Sequence, residues 1–413
     1  MYPAFRALQT ESAMRTRWLM PAVSVIVALV FACSPAARAA DDDVADIEIR
    51  ALIARMARDD FAGKEASEEV AGKGKVAVPR LIEALGHPEA RVRYWSISAL
   101  RGIGDAKAVP PIIERLKKDN NGLVRSVAVW HLGAWFERDD VKKAVLETLS
   151  DPDEDVRGWA LRLVQERKYA AAVPALTKLL ENKDERSRYG AVRALAEIQG
   201  EKAIDLLKTI IEKDSSPNVR AAAVYYLGEW FDRDDIRELI LKMLDDKDRY
   251  VKAWAIRVVA EKRYKPALGK VMTFVQSDDE ELRYDALSAV VALKGAESID
   301  LLIRTVKEDK SKIVRECALR ACTTIEPPTS RCFEVLYEGL KDEDMELRDI
   351  AVMLLRKGFN QYFRFFPNDT LGNREKAMWH WSAWYRTRKD KLQWNPEKRF
   401  FEVPGEKEET KTK

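Results

Sequence analysis

Residues 119–128 read Asp-Asn-Asn-Gly-Leu-Val-Arg-Ser-Val-Ala, and the frame Asp119…Val124-Arg125…Ala128 inside them returns along the chain. It reappears as Asp151…Val156-Arg157…Ala160, Asp214…Val219-Arg220…Ala223 and Asp309…Val314-Arg315…Ala318. The basic residue of each copy marks a ladder, Arg93, Arg125, Arg157, Arg188, Arg220, Lys252, Arg283, Arg315 and Arg348, in steps of 31 to 33 residues. A fixed period in that range predicts a stacked solenoid, because each unit can bury its apolar face only against a neighbour. The residue six before each rung is Asp in six of nine repeats, and His87, Asn182 and Ser277 are the exceptions. Those exceptions open successive triplets: the segment from Val124 returns 95 residues later at Val219, as if a three-repeat block had been copied.

Between Val76 and Gly358 apolar residues recur at three- and four-residue spacing without strand-like alternation, so each repeat reads as two helices. The first helix often opens at a proline, as at Pro79, Pro110, Pro174 and Pro266, where a missing N–H costs nothing. The second carries the Val-Arg pair. On the turn Asp, the Val-Arg pair and the small Ala, residues 44 to 360 resemble the HEAT-repeat family, and within it the short bacterial repeats similar to those of phycobilisome lyases. The expected fold is therefore all-α, a right-handed α-solenoid of about nine two-helix repeats with a cap at each end. The resemblance implies a hydrogen-bonded ladder between repeats, which makes Asp119, Arg125, Asp151, Arg157, Asp214, Arg220, Asp309, Arg315, Asp342 and Arg348 structural.

Residues 1–40 read as an export signal, with Arg15 and Arg17 before an apolar core and Ala37-Arg38-Ala39 as a cleavage motif. A start at Met14 would make the basic region more compact. The apolar run is shorter than the roughly 20 residues that span a bilayer, so no stable membrane insertion is expected after cleavage. Lipidation at Cys33 is a second reading of the same stretch. Residues 41–75 follow as an N-terminal helical cap, 76–358 as the repeats, and 359–403 as a Trp-rich C-terminal cap whose helix is expected over 373–394. That end resembles the one on exported bacterial HEAT proteins, which implies a periplasmic or envelope location. Residues 404–413 form a charged tail expected to be disordered.

Cleavage would take four of the 71 basic and one of the 68 acidic residues, leaving 67 of each. A neutral chain lacks the basic surface that neutralises phosphates, so no nucleic acid is expected as partner. Cys317, Cys322 and Cys332 align with Ala222, Leu227 and Ile236 of the earlier copies and read as buried thiols, with one disulfide from Cys332 as the alternative in an oxidising compartment. In the repeated WFERDD and WFDRDD loops the Asp residues are expected to cap the next helix. His87, His131 and His380 are not followed by Glu, which removes a hydroxylase-like di-iron site, and no metal or cofactor is expected. A bilin lyase has no comparably sharp signature, and export would keep the chain from a cytoplasmic pigment pathway. The chain is accordingly expected not to be an enzyme.

With the ladder residue as zero, positions −1, +3, +6, +7 and +10 share one apolar side of the second helix, and +1 and +5 lie opposite. Those two positions hold Tyr94, Trp130, Arg162, Tyr189, Arg193, Tyr225, Arg257, Tyr284 and Arg320, an alternation of aromatic and Arg residues on the expected concave face. At about 8–10 Å per helix the row would be roughly 70 Å long. Tyr, Trp and Arg dominate binding hot spots. The expected function is a non-catalytic scaffold or adaptor holding a protein partner along this row; the alternatives are a glycan or cell-wall binder, or a lyase-like HEAT enzyme or its accessory subunit. Trp95, Trp159 and Trp254, at +2, are expected to serve packing.

Overall fold

The structure, a computed structural model, describes residues 35–406, with side chains described from Val44 onward. The export signal, Met14 and Cys33 lie outside the described residues or at their edge, as does most of the tail 404–413. The backbone of α1 (Pro35–Arg55) is one helix across the expected cleavage point. Among the described residues no helix is long and apolar enough to cross a membrane.

The chain divides into two compact units, up to Leu163 and from Val164. In the first, α1 and α2 (Asp60–Gly72) precede the pairs α3 (Val78–Ala84) and α4 (Ala90–Ile103), α5 (Val109–Lys118) and α6 (Gly122–Leu132), and α7 (Asp139–Thr148) and α8 (Glu154–Glu166). In the second the pairs are α9 (Val173–Leu179) and α10 (Glu185–Gln199), α11 (Ile204–Lys213) and α12 (Pro217–Leu227), and α13 (Asp234–Met243) and α14 (Arg249–Glu261). They continue as α15 (Leu268–Phe274) and α16 (Glu280–Lys294), α17 (Ile299–Glu308) and α18 (Lys312–Ala321), and α19 (Cys332–Gly339) and α20 (Met345–Phe359). Then come α21 (Leu371–Arg388) and a hairpin of β1 (Gln393–Asn395) and β2 (Phe400–Glu402). Within each unit the second helix of a repeat lies on that of the next, α2 on α4 on α6, and α10 through α12, α14, α16 and α18 to α20.

The local reasons are plain. In α11 the buried residues are Ile204, Leu207, Ile210 and Ile211, an apolar stripe of helical spacing. Each such side chain contributes about 1.5–3 kcal/mol when fully buried. Single 3-10 turns lead into several first helices, and Pro266 sits in one of these (Lys265–Ala267) rather than in α15 itself. The copies ERKY and EKRY end α8 and α14 in the same way: Lys168 and Arg263 take φ of 46° and 48°, and the amides of Tyr169 and Tyr264 reach back to Val164 and Val259. Gly63 is required by packing, since a Cβ there would lie 2.2 Å from the Trp95 indole of α4.

The ladder is a two-sided grip. Arg93 donates from Nε and Nη2 to the two carboxylate oxygens of Asp119, both at 2.7 Å, and from Nη1 to the carbonyls of His87 and Pro88 in its own turn. Asp119 in turn accepts from the Asn121 amide. The same forward reach of 26 or 27 residues joins Arg125 to Asp151, Arg188 to Asp214, Arg220 to Asp246, Arg283 to Asp309 and Arg315 to Asp342. Arg157 donates to the carbonyls of Asp151 and Pro152. Arg348 gives both remaining donors to the Pro367 carbonyl.

Two local expectations are corrected. In the WFERDD and WFDRDD loops the cap residues are Arg138 and Arg233, without a side-chain cap bond, and the acids stand inside the first turn, where they meet the helix dipole. Asp140 and Asp235 instead accept from those arginines. The tail helix ends at Arg388 rather than Trp394, and Trp394 pairs with Phe401 across the hairpin. Asn395 precedes Pro396, which disfavours helix there, and its side chain accepts from the Glu397 and Lys398 amides to shape the turn. Trp381, Trp384 and Tyr385 are buried with Phe333, Phe359 and Phe401. Cys317, Cys322 and Cys332 are buried free thiols, and Cys332 donates to the Cys322 carbonyl.

Candidate functional site

The second helices carry the row unevenly. In the first unit Trp130 is 51% exposed, Tyr94 is half-buried, and Arg162 is exposed with its guanidinium over the Trp159 ring. In the second, Tyr189, Tyr225 and Tyr284 are 40–44% exposed. The arginines there are engaged: Arg193 lies over Tyr189, Arg257 lies over Trp254 and donates to Asp285 at 2.9 Å, and Arg320 donates to Glu316. Of the small residues at +1, Ser126, Ala221 and Ala253 are buried instead of exposed, whereas Gly158 is exposed.

Tyr189, Arg193 and Tyr225 come together in a concavity of about 720 Å³ formed by α10, α12 and the start of α14. Tyr226, Glu197, Glu185, Arg186, Tyr250 and Trp254 are also in its lining. Tyr225 stands edge-on to Trp254 with centroids 5.1 Å apart. Tyr226 donates its hydroxyl to Glu197 at 3.1 Å, and Gln165 Nε2 fixes the same carboxylate oxygen at 2.7 Å. Burial pushes the Tyr226 phenol up to about 12; the Glu197 carboxylate adds to the rise and Arg193 opposes it. Tyr226 is therefore a protonated donor at neutral pH, set between a carboxylate and a guanidinium.

Sequence reasoning missed Tyr226 and Glu197. The signal was present: position +6 is Ala, Val or Leu in seven repeats, and only His131 and Tyr226 depart from it. Asp285 was missed as well. Burial raises its pKa, Arg257 opposes the rise, and its second carboxylate oxygen has no partner among the described residues. Tyr284 and Arg320, the last members of the row, line a separate concavity of about 520 Å³ with Cys317 and Ser288. Among the described residues no group of three His, Cys, Asp or Glu is placed to hold a metal ion.

The description of HEAT repeats matches residues 45–133, 143–228 and 236–323. The bilin biosynthesis protein RpcF of Synechococcus sp. (strain WH8020) is 31% identical over 137 residues, which cover 30% of this chain and 66%, just under two thirds, of that protein. Importin β shares the fold, with a TM-score of 0.53 at 14% identity over 82% of this chain and 53% of its own. The CpcE and CpcF complex of phycocyanin lyase from Nostoc sp. PCC7120 aligns at a TM-score of 0.34 and 17% identity, over 52% of this chain and 94% of its own.

The relative in bilin biosynthesis overturns two expectations, that the chain is a non-catalytic scaffold or adaptor and that it is not an enzyme. The lack of His-Glu pairs bore only on a hydroxylase-like di-iron site. Tyr, Arg and Glu, which read as the decoration of a solvated helix face, also build a polar hydrogen-bonded site when two second helices bring them together. The three matched segments cover more than half of the 413 residues, and the chain belongs to the HEAT-repeat family.

Proposed function

We propose that the chain is a lyase-type HEAT protein acting on a bilin, a linear tetrapyrrole, held in the concavity of α10, α12 and α14. The observation that carries this is the joining of edge-on aromatic rings, arginines and a protonated phenol in one site of about 720 Å³, within the roughly 300–1,000 Å³ of small-molecule sites. Flat conjugated pyrroles would stack on Tyr225 and Trp254, and the anionic side chains of a bilin would meet Arg186 and Arg193. Making or breaking a bond next to a double bond requires a proton to be delivered or removed. Tyr226 is the proposed donor, with Glu197 holding the phenol in place and stabilising its return to the protonated form. Of the expected row, Tyr189, Arg193 and Tyr225 are assigned to ligand contact. The Trp-rich end would close the last repeat, leaving the bilin site as the working surface.

Titrating the full chain with biliverdin, followed by visible absorbance, tests the site. Saturable binding with a shifted band is expected, and Tyr225→Ser or Arg193→Gln should weaken it about tenfold, the loss of one charge-assisted or stacking contact. Tyr226→Phe should keep binding and lose turnover, read as covalently retained bilin on a phycocyanin acceptor subunit after denaturation. Absence of saturable binding, or binding indifferent to both contact variants, would remove the assignment.

A further inference from the structure

We propose that a second cavity, enclosed by the α18–α19 connection, α19, α20 and the β1–β2 hairpin, binds an amphipathic monoanion of fatty-acid type. It lies apart from the bilin site and does not depend on it. The cavity measures about 370 Å³, and its walls include Ile325, Leu336, Leu354, Phe359, Trp394 and Phe401. Phe359 stacks on Phe401 at 5.4 Å and Trp394 meets the same ring edge-on at 5.0 Å, so one side is a continuous aromatic wall. Cys322 and Cys332, both buried, add soft apolar surface. An apolar chain is the ligand such walls would take, since polar groups inside would lose water without gaining partners.

The mouth selects the sign of the head group. Lys357 and Arg399 are exposed at its edge, and among the described residues neither forms an ion pair. The other cation of the hairpin turn, Lys398, is taken by Glu402 at 2.9 Å. Glu326 is the carboxylate at the rim, and Arg263 engages it at 3.2 Å. Two cations against one partnered acid leave the entrance net positive. Arg399 is held there by the turn itself, with φ of 57° and its amide donating to the Asn395 carbonyl at 2.8 Å. A carboxylate at the mouth, with its chain directed inward, satisfies both ends at once.

Isothermal titration of the full chain with dodecanoate, below its micelle-forming concentration, tests the proposal. Saturable binding of one molecule per chain is expected. The exposed double variant K357Q/R399Q should weaken it about tenfold or more, as expected for lost charge-assisted contacts. Dodecanol should bind the wild type and that variant alike. Leu354→Trp fills the cavity and should abolish binding, with its fold checked by circular dichroism and its biliverdin titration unchanged. No saturable heat with the wild type, or dodecanoate binding that survives both the charge and the cavity variants, would overturn the proposal; should Leu354→Trp misfold, the charge variant decides alone.

Discussion

Residues 124–140 and 219–235 are two copies of one block, and they keep the same joints while differing on one face. Arg125 and Arg220 reach forward to Asp151 and Asp246, Gly133 and Gly228 sit at the end of the helix, and Phe136 and Phe231 are buried at the turn. Six residues past the rung the copies part. In the first, His131 is buried with neither ring nitrogen partnered among the described residues; in the second, Tyr226 is tied to Glu197. Whatever joins one repeat to the next is held alike, and the proposed chemistry falls where the copies differ.

The largest expected effect is on the shared part. Arg125→Ala and Arg220→Ala each leave a mostly buried Asp without its partner, and each should lose about 3 kcal/mol or more in urea unfolding. Similar losses would confirm that the joints are equivalent, and a clear inequality would break the comparison there.

The next effect belongs to the first copy alone. Burial, with Arg101 nearby, lowers His131 to about 3 in the folded chain from 6.5 in the unfolded one. Below pH 6.5 the unfolded chain takes up a proton that the folded chain refuses, so stability falls as pH drops toward 3, by at most ~1.4 kcal/mol per pH unit. Thermal melts from pH 7 to 4 should show this slope, and His131→Leu should flatten it.

Gly133 and Gly228 offer a finer contrast. A Cβ on the first would meet Leu163 at 3.2 Å, whereas one on the second would meet both methyl carbons of Val258 at 3.1 Å. Leu can turn away and the β-branched Val cannot, so Gly228→Ala should cost about 1–3 kcal/mol and Gly133→Ala less than ~1 kcal/mol. Paired denaturation curves check the order. Tyr226→Phe should likewise cost stability little, about 1 kcal/mol, while the proposed turnover is lost.

The repeats were legible because an apolar stripe at helical spacing and a 32-residue rhythm leave little choice of fold. The hairpin of 393–402 was hidden: each strand has three residues, too few for alternation to show, and the preceding Trp, Tyr and Arg residues continue a helical pattern. The row at +1 and +5 followed from the wheel of one helix, but the burial of Ser126, Ala221 and Ala253 depends on the helix next door, which no single wheel contains. Glu197 lies on a different repeat from Tyr226, so their hydrogen bond joins positions 29 residues apart that no local spacing connects.

The Arg rung points only one way, from its own turn toward the turn that follows. A repeat whose Arg meets the next turn's Asp thus carries a plug at one side and a socket at the other, which gives the array a polarity like that of a directional polymer. A copied block can enter in one orientation alone, and any insertion point that keeps plug and socket in step is equivalent to another. Growth stops where Arg348 finds the Pro367 carbonyl in place of a carboxylate, a terminus that accepts the plug and offers no further socket.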